Sequence, residues 1–314
     1  MGKTYQMRQA TAEDYDDIIS ILPGGEFEGD SIPDFFPMII SDPNYNPYVV
    51  LDNSKIVGFL VLITVDGGTT AIMNWGRIQV MYRGQRLLPE LGIYSIRQYP
   101  LIKRQAFFAV TNVDKMKQKI KSGMLTFVAM KKYAFYQGNK SLPTQSNDMK
   151  RHLALTWMKE EDLERMFQKK SLYSTVFKDD RLIVSGIPYR ILPSNIPSIL
   201  RNKTTVLASS LNDPSKTLLT FGTHFRLQTG ELFCNFNVYG KLNEYFTDHV
   251  ESHFEVFRCD IQNIFTIAVI FEDSEDLIEK TMLSLGLKIA SKDKYNRTVA
   301  ICLETENSAV PSLL

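Results

Sequence analysis

The sequence has few of the features that would tie a protein to a membrane or to secretion. Its longest apolar runs, such as residues 56–65, have the length of a strand and fall far short of the roughly 20 residues that a membrane span needs. The amino-terminal stretch MGKTYQMRQATAED lacks the apolar core of a signal peptide. We therefore expect a cytoplasmic protein that does not contact a membrane.

Cysteine and net charge are also scarce. The three cysteines, Cys234, Cys259 and Cys302, are odd in number and lack the spacing of a metal site, so we predict reduced, mostly buried thiols and no resident metal. Lys and Arg total 36 and Asp and Glu total 35, which leaves a net charge of +1 and no overall field for a nucleic acid. We expect no nucleic-acid partner, and the sequence does not indicate an oligomeric state.

The most informative feature that is present is the stretch Arg77–Leu88, RIQVMYRGQRLL. It is typical of a strand end, a tight basic turn and a helix start, where backbone N–H groups and the positive end of a helix dipole can bind phosphate. A solvated basic turn is the alternative, and short motifs often match by chance. The candidate ligand-binding residues are Ile78, Gln79, Val80, Arg83, Gly84, Gln85, Arg86, Leu87 and Leu88.

Periodicity and turn residues predict the elements around this stretch in the order β-α-α-β-β-β-α-β-α-β. Strands are expected near residues 5–10, 48–51, 56–65, 69–80, 105–110 and 124–135. Helices are expected near residues 11–22, 31–41, 85–98 and 113–122. The last of these helices ends at Gly123, a typical left-handed terminator. This order predicts a mixed, twisted sheet with helices on both faces.

The second half of the chain repeats this rhythm. Strands near 216–221, 232–239 and 265–271 alternate with helices at 242–254 and 274–285, and Gly286 ends the last helix as Gly123 ends the earlier one. The repetition suggests a tandem, diverged duplication of one fold. We predict an amino-terminal domain over residues 1–136, a polar connector over 137–180 and a carboxy-terminal α/β domain over 181–314.

The basic turn and the order of elements resemble GNAT-type N-acetyltransferases, whose acetyl-CoA loop follows the pattern (Q/R)-x-x-G-x-(G/A). Four stretches are similar to the histidine N-acetyltransferase family: residues 49–51, 77–88, 117–125 and 236–240. The resemblance implies an α/β (α+β mixed-sheet) GNAT acyl-CoA N-acyltransferase fold with a second, diverged GNAT-like domain. It also implies transfer of an acetyl group from acetyl-CoA, as co-substrate, to a small-molecule amine such as the α-amine of histidine or another amino acid.

The sequence departs from the family pattern at positions that matter chemically. Arg86 and Leu88 replace the two small residues of the loop. Asn74 stands where relatives often place a glutamate that deprotonates the amine, and an amide cannot act as a base. Met116 stands where many relatives place a tyrosine that protonates the leaving thiolate. Asn74 and Asn112, which follows a predicted strand end, are the candidate catalytic positions.

Two functional hypotheses follow. The first is an acetyl-CoA-dependent N-acetyltransferase whose second half helps to form the substrate cleft. The second is a catalytically degenerate GNAT-like protein that binds a ligand or a partner.

The sequence also contains a histidine pair and an aromatic group outside the turn. His249 and His253, four residues apart, could share a metal-binding helix face, but a solvated face is the expected interpretation. Tyr133, Phe135 and Tyr136 are expected to pack within a sheet.

Overall fold

The first half of the chain folds in the predicted order. The computed structural model describes residues 4–22, 30–109, 113–138, 155–201, 203–257, 265–272, 274–290 and 299–306. The elements are β1 (Gln6–Gln9), α1 (Tyr15–Ser20), α2 (Ile32–Ser41), β2 (Tyr45–Asp52), β3 (Lys55–Val65), β4 (Thr70–Ile78), α3 (Leu87–Arg97), β5 (Arg104–Ala109), α4 (Val113–Lys121) and β6 (Thr126–Gly138). Gly123 has a φ of 75°, which confirms the predicted left-handed helix terminator.

The second half repeats this series with additional elements, among them a hairpin and a helix. Its elements are β7 (Leu155–Trp157), α5 (Glu160–Gln168), α6 (Lys170–Val176), β8 (Arg181–Val184), β9 (Ile187–Arg190), α7 (Ile196–Arg201), β10 (Thr205–Ser209), β11 (Leu218–Arg226), β12 (Leu232–Gly240), α8 (Phe246–Phe257), β13 (Phe265–Phe271), α9 (Glu275–Ser284), β14 (Lys288–Ile289) and β15 (Val299–Glu306). Strands β8 and β9 form a separate two-stranded sheet. None of the helices in the described ranges is long and apolar enough to cross a membrane.

The remaining strands form one 13-stranded sheet that contains the same pairing pattern twice. In the first set, β1, β2, β3 and β4 pair antiparallel, and β4 pairs parallel to β5. In the second set, β7, β10, β11 and β12 pair antiparallel, and β12 pairs parallel to β13. The mixed α/β fold with a second, equivalent unit is therefore confirmed. The predicted domain boundaries stay a prediction.

Each set is completed by a strand from the other half of the chain. β15, at the end of the second half, lies between β5 and the first part of β6. The last part of β6, from the first half, lies between β13 and β14. The two halves thus exchange strands at their common boundary, and the sheet runs through it without an edge.

The core is likewise shared between the halves. One cluster of buried apolar side chains joins Ile18 and Phe35 of the first half to Leu163, Phe177 and Phe221 of the second. The cluster lies on the face of the sheet that α1, α2, α5 and α7 cover. Helix α3 covers the opposite face of the first half through a separate cluster that includes Leu87 and Leu91.

The described cysteines are buried and free, as predicted. Cys234 and Cys302 are both 0% exposed and form no disulfide. Burial raises the pKa of the Cys302 thiol to about 12, and it raises the pKa of the Cys234 thiol as well. Both thiols are therefore protonated and unreactive at neutral pH. Cys259 lies outside the described residues.

We expect the carboxy-terminal strand to be essential for folding. Deletion of residues 299–314 would leave the edges of β5 and β6 without a partner, in the middle of the sheet. The expected result is aggregation or loss of cooperative thermal unfolding, because unpaired apolar edges associate. Circular dichroism and size-exclusion chromatography measure both. Deletion of residues 307–314 retains every described strand and is the matched control. A cooperative transition near that of the full chain in the 299–314 deletion would contradict the expectation.

The expected solvated face for the histidine pair is wrong. His249 and His253 are both 0% exposed, because α8 packs this face against β10 and β11. Thr205 Oγ1 donates to the Gly222 carbonyl at 3.2 Å, so it accepts from Nδ1 of His253 at 2.8 Å. Nε2 of His253 then accepts from Thr220 Oγ1 at 2.9 Å, and Thr220 Oγ1 accepts from Nδ1 of His249 at 2.8 Å. Both nitrogens of His253 are occupied by hydroxyl groups, which argues against a metal.

Burial of the pair makes stability depend on pH. Desolvation lowers the pKa of both His249 and His253 to about 3, from an ordinary value of 6.5. Between these values the unfolded chain binds protons that the folded chain does not, so the free energy of unfolding falls as the pH falls. We expect a loss of about 1 kcal/mol per histidine between pH 7 and pH 5.5.

Urea unfolding at the two pH values measures this loss. The double variant His249→Gln, His253→Gln is the control, because it cannot bind these protons in either state. An equal change in the free energy of unfolding for the wild type and the double variant would contradict the assignment.

Candidate active site

A bulge in β4 shapes the centre of the first half. The register between β3 and β4 shifts where Trp75 and Gly76 face the single residue Leu60. Trp75 has a φ of 52°, which is rare for a residue with a bulky side chain. Oδ1 of Asn74 accepts a hydrogen bond from the Trp75 N–H at 2.8 Å, and Trp75 Nε1 donates to Ser31 Oγ at 2.9 Å. These bonds hold a strained segment of the kind that is often found at functional sites.

The bulge lies on the wall of a cavity of about 390 Å³, here called the aromatic cavity. Its aromatic walls are Phe35, Tyr45, Trp75, Phe108, Tyr133 and Phe225. The second half contributes Ser185, Gly186, Ile187, Phe225 and Asn235, so the cavity lies between the two halves. The enclosing hairpin turns at Ser185 and Gly186, which have φ values of 51° and 76°, as a two-residue hairpin turn requires.

A buried ion pair forms part of the same wall. Nη2 of Arg77 lies 2.8 Å from Oδ1 of Asp30, and Nη1 lies 3.2 Å from Oδ2. The side chains are only 3% and 6% exposed. Asp30 also accepts from the Ile32 N–H at 3.1 Å, at the start of α2. The pair thus joins β4 to α2, and removal of one partner would leave a buried charge without compensation.

A second cavity, of about 440 Å³, lies at the predicted phosphate-binding turn and is here called the loop cavity. Six of the nine predicted ligand-binding residues line it: Ile78, Arg83, Gly84, Arg86, Leu87 and Leu88. Gly84 has a φ of 79° and forms the sharp part of the turn. The first residues of α3 face this cavity, where the positive end of the helix dipole favours an anion.

The other three predicted residues lie outside the lining of the loop cavity, and two of them make side-chain hydrogen bonds. Gln79 donates through Nε2 to the Ile56 carbonyl at 3.2 Å. Gln85 accepts from the Tyr5 hydroxyl at 2.6 Å. Val80 is 56% exposed in a single turn of 3₁₀ helix. These contacts hold the turn in place.

The two unusual loop residues are accommodated in different ways. Arg86, the residue before α3, has a φ of 60°, in the region that favours glycine. Leu88 packs on Gly76 of β4, where an added Cβ would come within 3.0 Å of Cδ1 of Leu88. The bulk of Leu88 therefore presses on the strand, and Gly76 provides the space for it.

The two cavities adjoin at a gap in the sheet. β4 and β5 pair at only two positions, Thr70 with Arg104 and Ala71 with Gln105. Beyond Ala71 the strands separate, so this edge of β4 has no strand partner within the described residues. Gly76 and Arg77 belong to the walls of both cavities. The loop cavity and the aromatic cavity thus share a wall at the gap.

The two predicted catalytic positions and Met116 lie at different places. Asn74 lines the aromatic cavity, on the strand that forms the gap. Asn112 lies outside the described residues. Met116, on α4, packs against the cluster of Leu125, Ile301 and Leu303.

Sequence reasoning missed several residues of the aromatic cavity. Asp30 follows a stretch without periodicity, and no local signal pairs it with Arg77. Tyr133 was expected only to pack in a sheet, yet it lines the cavity from β6. Asn235 had a usable signal, because Asn235 and Asn237 interrupt an otherwise apolar strand at alternate positions.

Comparison with solved structures defines the class of fold. An acetyltransferase of Pyrococcus horikoshii is 11% identical, with a TM-score of 0.55 over 98% of this chain and 91% of that chain. A tandem GNAT protein from the clavulanic acid biosynthesis pathway is 9% identical, with a TM-score of 0.52 over 96% of this chain and 98% of that chain. At these identities the likeness shows the fold, which is that of GNAT proteins with two units in one chain.

Sequence comparison adds a resemblance to one family. Residues 151–272 match the family model "Histidine N-acetyltransferase, C-terminal". A histidine N-acetyltransferase of Xenopus tropicalis is 24% identical over 275 residues, which cover 81% of this chain and 82% of the relative. The chain has the GNAT fold and resembles the histidine N-acetyltransferases, as its sequence motifs predicted. These relationships support an N-acetyltransferase.

The left-handed backbone at Arg86 predicts that glycine and alanine at this position give proteins of different stability. Arg86→Gly and Arg86→Ala remove the same charge, but only alanine keeps a Cβ in the left-handed region, which costs about 1–2 kcal/mol. Glycine loses more entropy on folding, by roughly 0.5–1 kcal/mol. We therefore expect the glycine variant to be more stable by up to about 1.5 kcal/mol, measured by urea unfolding. A more stable alanine variant would show that the turn does not keep this conformation.

Proposed function

We propose that this protein is an acetyl-CoA-dependent N-acetyltransferase that acetylates the amine of a small molecule, such as the α-amine of histidine or another amino acid. The observation that carries the proposal is the junction of the two cavities at Gly76 and Arg77. A group-transfer enzyme must bring a donor and an acceptor together at one point. The gap between β4 and β5 provides such a point.

The loop cavity suits the donor. In the proposal, Arg83 and Arg86 and the first turn of α3 bind the phosphates of acetyl-CoA. The unpaired edge of β4 offers main-chain groups to the amides of the pantetheine arm, which would run along the gap. The side chain of Leu88 and the missing N–H of Pro89 reduce the number of backbone contacts to phosphate, so the arginine side chains would supply more of the binding.

The aromatic cavity suits a small acceptor. The neutral amine would attack the thioester carbonyl, so that a C–N bond forms, the C–S bond breaks and coenzyme A leaves as a thiolate. The proton lost by the nitrogen would balance the charge of that thiolate. Asn74 cannot take this proton, and the Asp30 carboxylate is committed to Arg77, so we propose that water in the cavity carries it. Positioning would then supply most of the rate enhancement.

A catalytically inactive protein that binds a ligand is the second candidate function. The observation that favours it is Asn74, an amide where a base is expected, beside an aromatic cavity without an uncommitted carboxylate among its described residues. Such a protein would bind acetyl-CoA or another ligand and release no thiol.

Calorimetric titration with acetyl-CoA, together with a thiol-release assay on a panel of amino acids that includes histidine, tests the proposal. We expect binding and turnover, and we expect Arg83→Ala and Arg86→Ala each to weaken acetyl-CoA binding about 10-fold or more, because charge-assisted bonds are lost. Arg97→Ala, at the other end of α3, removes the same charge and is the control. Binding without thiol release would favour the catalytically inactive protein, and no binding at millimolar acetyl-CoA would exclude the donor site.

We also propose a cytoplasmic location. The free, buried thiols of Cys234 and Cys302 are consistent with a reducing compartment.

A further inference from the structure

We propose that Asn235, on β12 of the second half, recognises the non-reacting end of the acceptor through a hydrogen bond from an N–H or O–H group of the substrate. Asn235 lines the aromatic cavity and is 9% exposed. This inference rests on the proposed function, since it assigns a specificity-determining residue to the same site.

The carboxamide of Asn235 lacks the partner that a buried amide normally has. Its Oδ1 is shielded from solvent and accepts no hydrogen bond from the described residues. Buried polar side chains are hydrogen-bonded in most proteins, and an exception calls for an explanation. For a residue on a cavity wall, the simplest explanation is a ligand that enters the cavity and to which the carboxamide turns its Oδ1.

The other polar side chains beside it already have partners. These bonds join Asp30 with Arg77, Ser31 with Trp75, and Ser185 with Thr223. Thr223 is directly opposite Asn235 in the β11–β12 register, and it accepts from Ser185 Oγ at 3.2 Å. Two atoms of this polar group have no partner among the described residues: the Asn235 Oδ1 acceptor and the Arg77 Nε donor. Asn235 is therefore the candidate acceptor for a donor group of the ligand.

The neighbours of Asn235 leave room for such a ligand. Its register partners are Thr223 on β11 and Ala268 on β13, which are both small. Other walls of the cavity are aromatic, with Phe108 and Tyr133 6.1 Å apart between ring centroids. A flat group that carries a polar hydrogen could lie against these rings and donate to Asn235.

This arrangement predicts a particular kind of selectivity. A site with a buried acceptor rejects a ligand that lacks the matching donor, because the acceptor then loses water without gaining a bond. The reaction at the amine itself would not involve Asn235. Removal of the acceptor should therefore raise KM for substrates with a side-chain donor and leave kcat nearly constant.

Two probes of similar size test the proposal: L-histidine, which has a ring N–H, and L-phenylalanine, which does not. In Asn235→Leu we expect kcat/KM for histidine to fall about 10- to 100-fold through KM, with phenylalanine changed by less than about 3-fold. Asn235→Asp keeps an acceptor oxygen and should recover most of the preference for histidine. Asn237→Leu, two residues along the same strand and away from the cavity wall, is the matched control and should behave as the wild type.

Direct titration of each protein with histidine and with acetyl-CoA separates the two claims. Turnover that is unchanged in Asn235→Leu, or reduced equally for both probes, overturns the role of Asn235 and leaves the proposed function standing. Histidine binding that depends on Asn235, without acetyl-CoA binding or thiol release, supports the acceptor site and overturns the proposed function. No binding of either ligand to the wild type overturns both. Melting temperatures show whether Asn235→Leu folds. If it does not, the preference of Asn235→Asp for histidine over phenylalanine tests the role of Asn235 instead.

Discussion

The exchange of strands at the middle of the sheet is the constraint on which the rest of the structure depends. β15 from the second half lies beside β5, and the end of β6 from the first half lies beside β13. Each unit therefore needs the other for its own hydrogen bonds, and their mutual position is fixed by backbone pairing. An interface of this kind can hold a cavity between two units at a constant shape, which side-chain contacts alone do less well.

The same sheet explains why the candidate site lies where it does. In the first unit, β4 and β5 pair over two residues before they separate, whereas β12 and β13 of the second unit pair over six. The gap is thus open in one unit and largely closed in the other. Because the second unit keeps its strands together, its face offers a continuous wall to the aromatic cavity, including Asn235.

Local features of the fold could be predicted from the sequence, whereas contacts between distant parts of the chain could not. Element order, the strand–turn–helix at 77–88 and the helix ends at Gly123 and Gly286 follow from periodicity and turn residues, which act over a few positions. The partners of β15 lie more than 160 positions earlier in the chain, and no local pattern specifies them. The burial of His249 and His253 was missed for the same reason, because threonines from β10 and β11 provide their hydrogen bonds.

The gap between β4 and β5 and the closed pairing of β12 with β13 allow the two equivalent units to serve different functions. Two equivalent units would offer two places for a ligand between their parallel strands, but only one of these places is open here. The unit with the closed gap does not have to hold a ligand between its strands. Its residues can therefore change without loss of the open gap in the other unit. One chain then provides an open gap in one unit and a closed wall in the other. Two identical subunits could not do so, because both of their gaps would be the same.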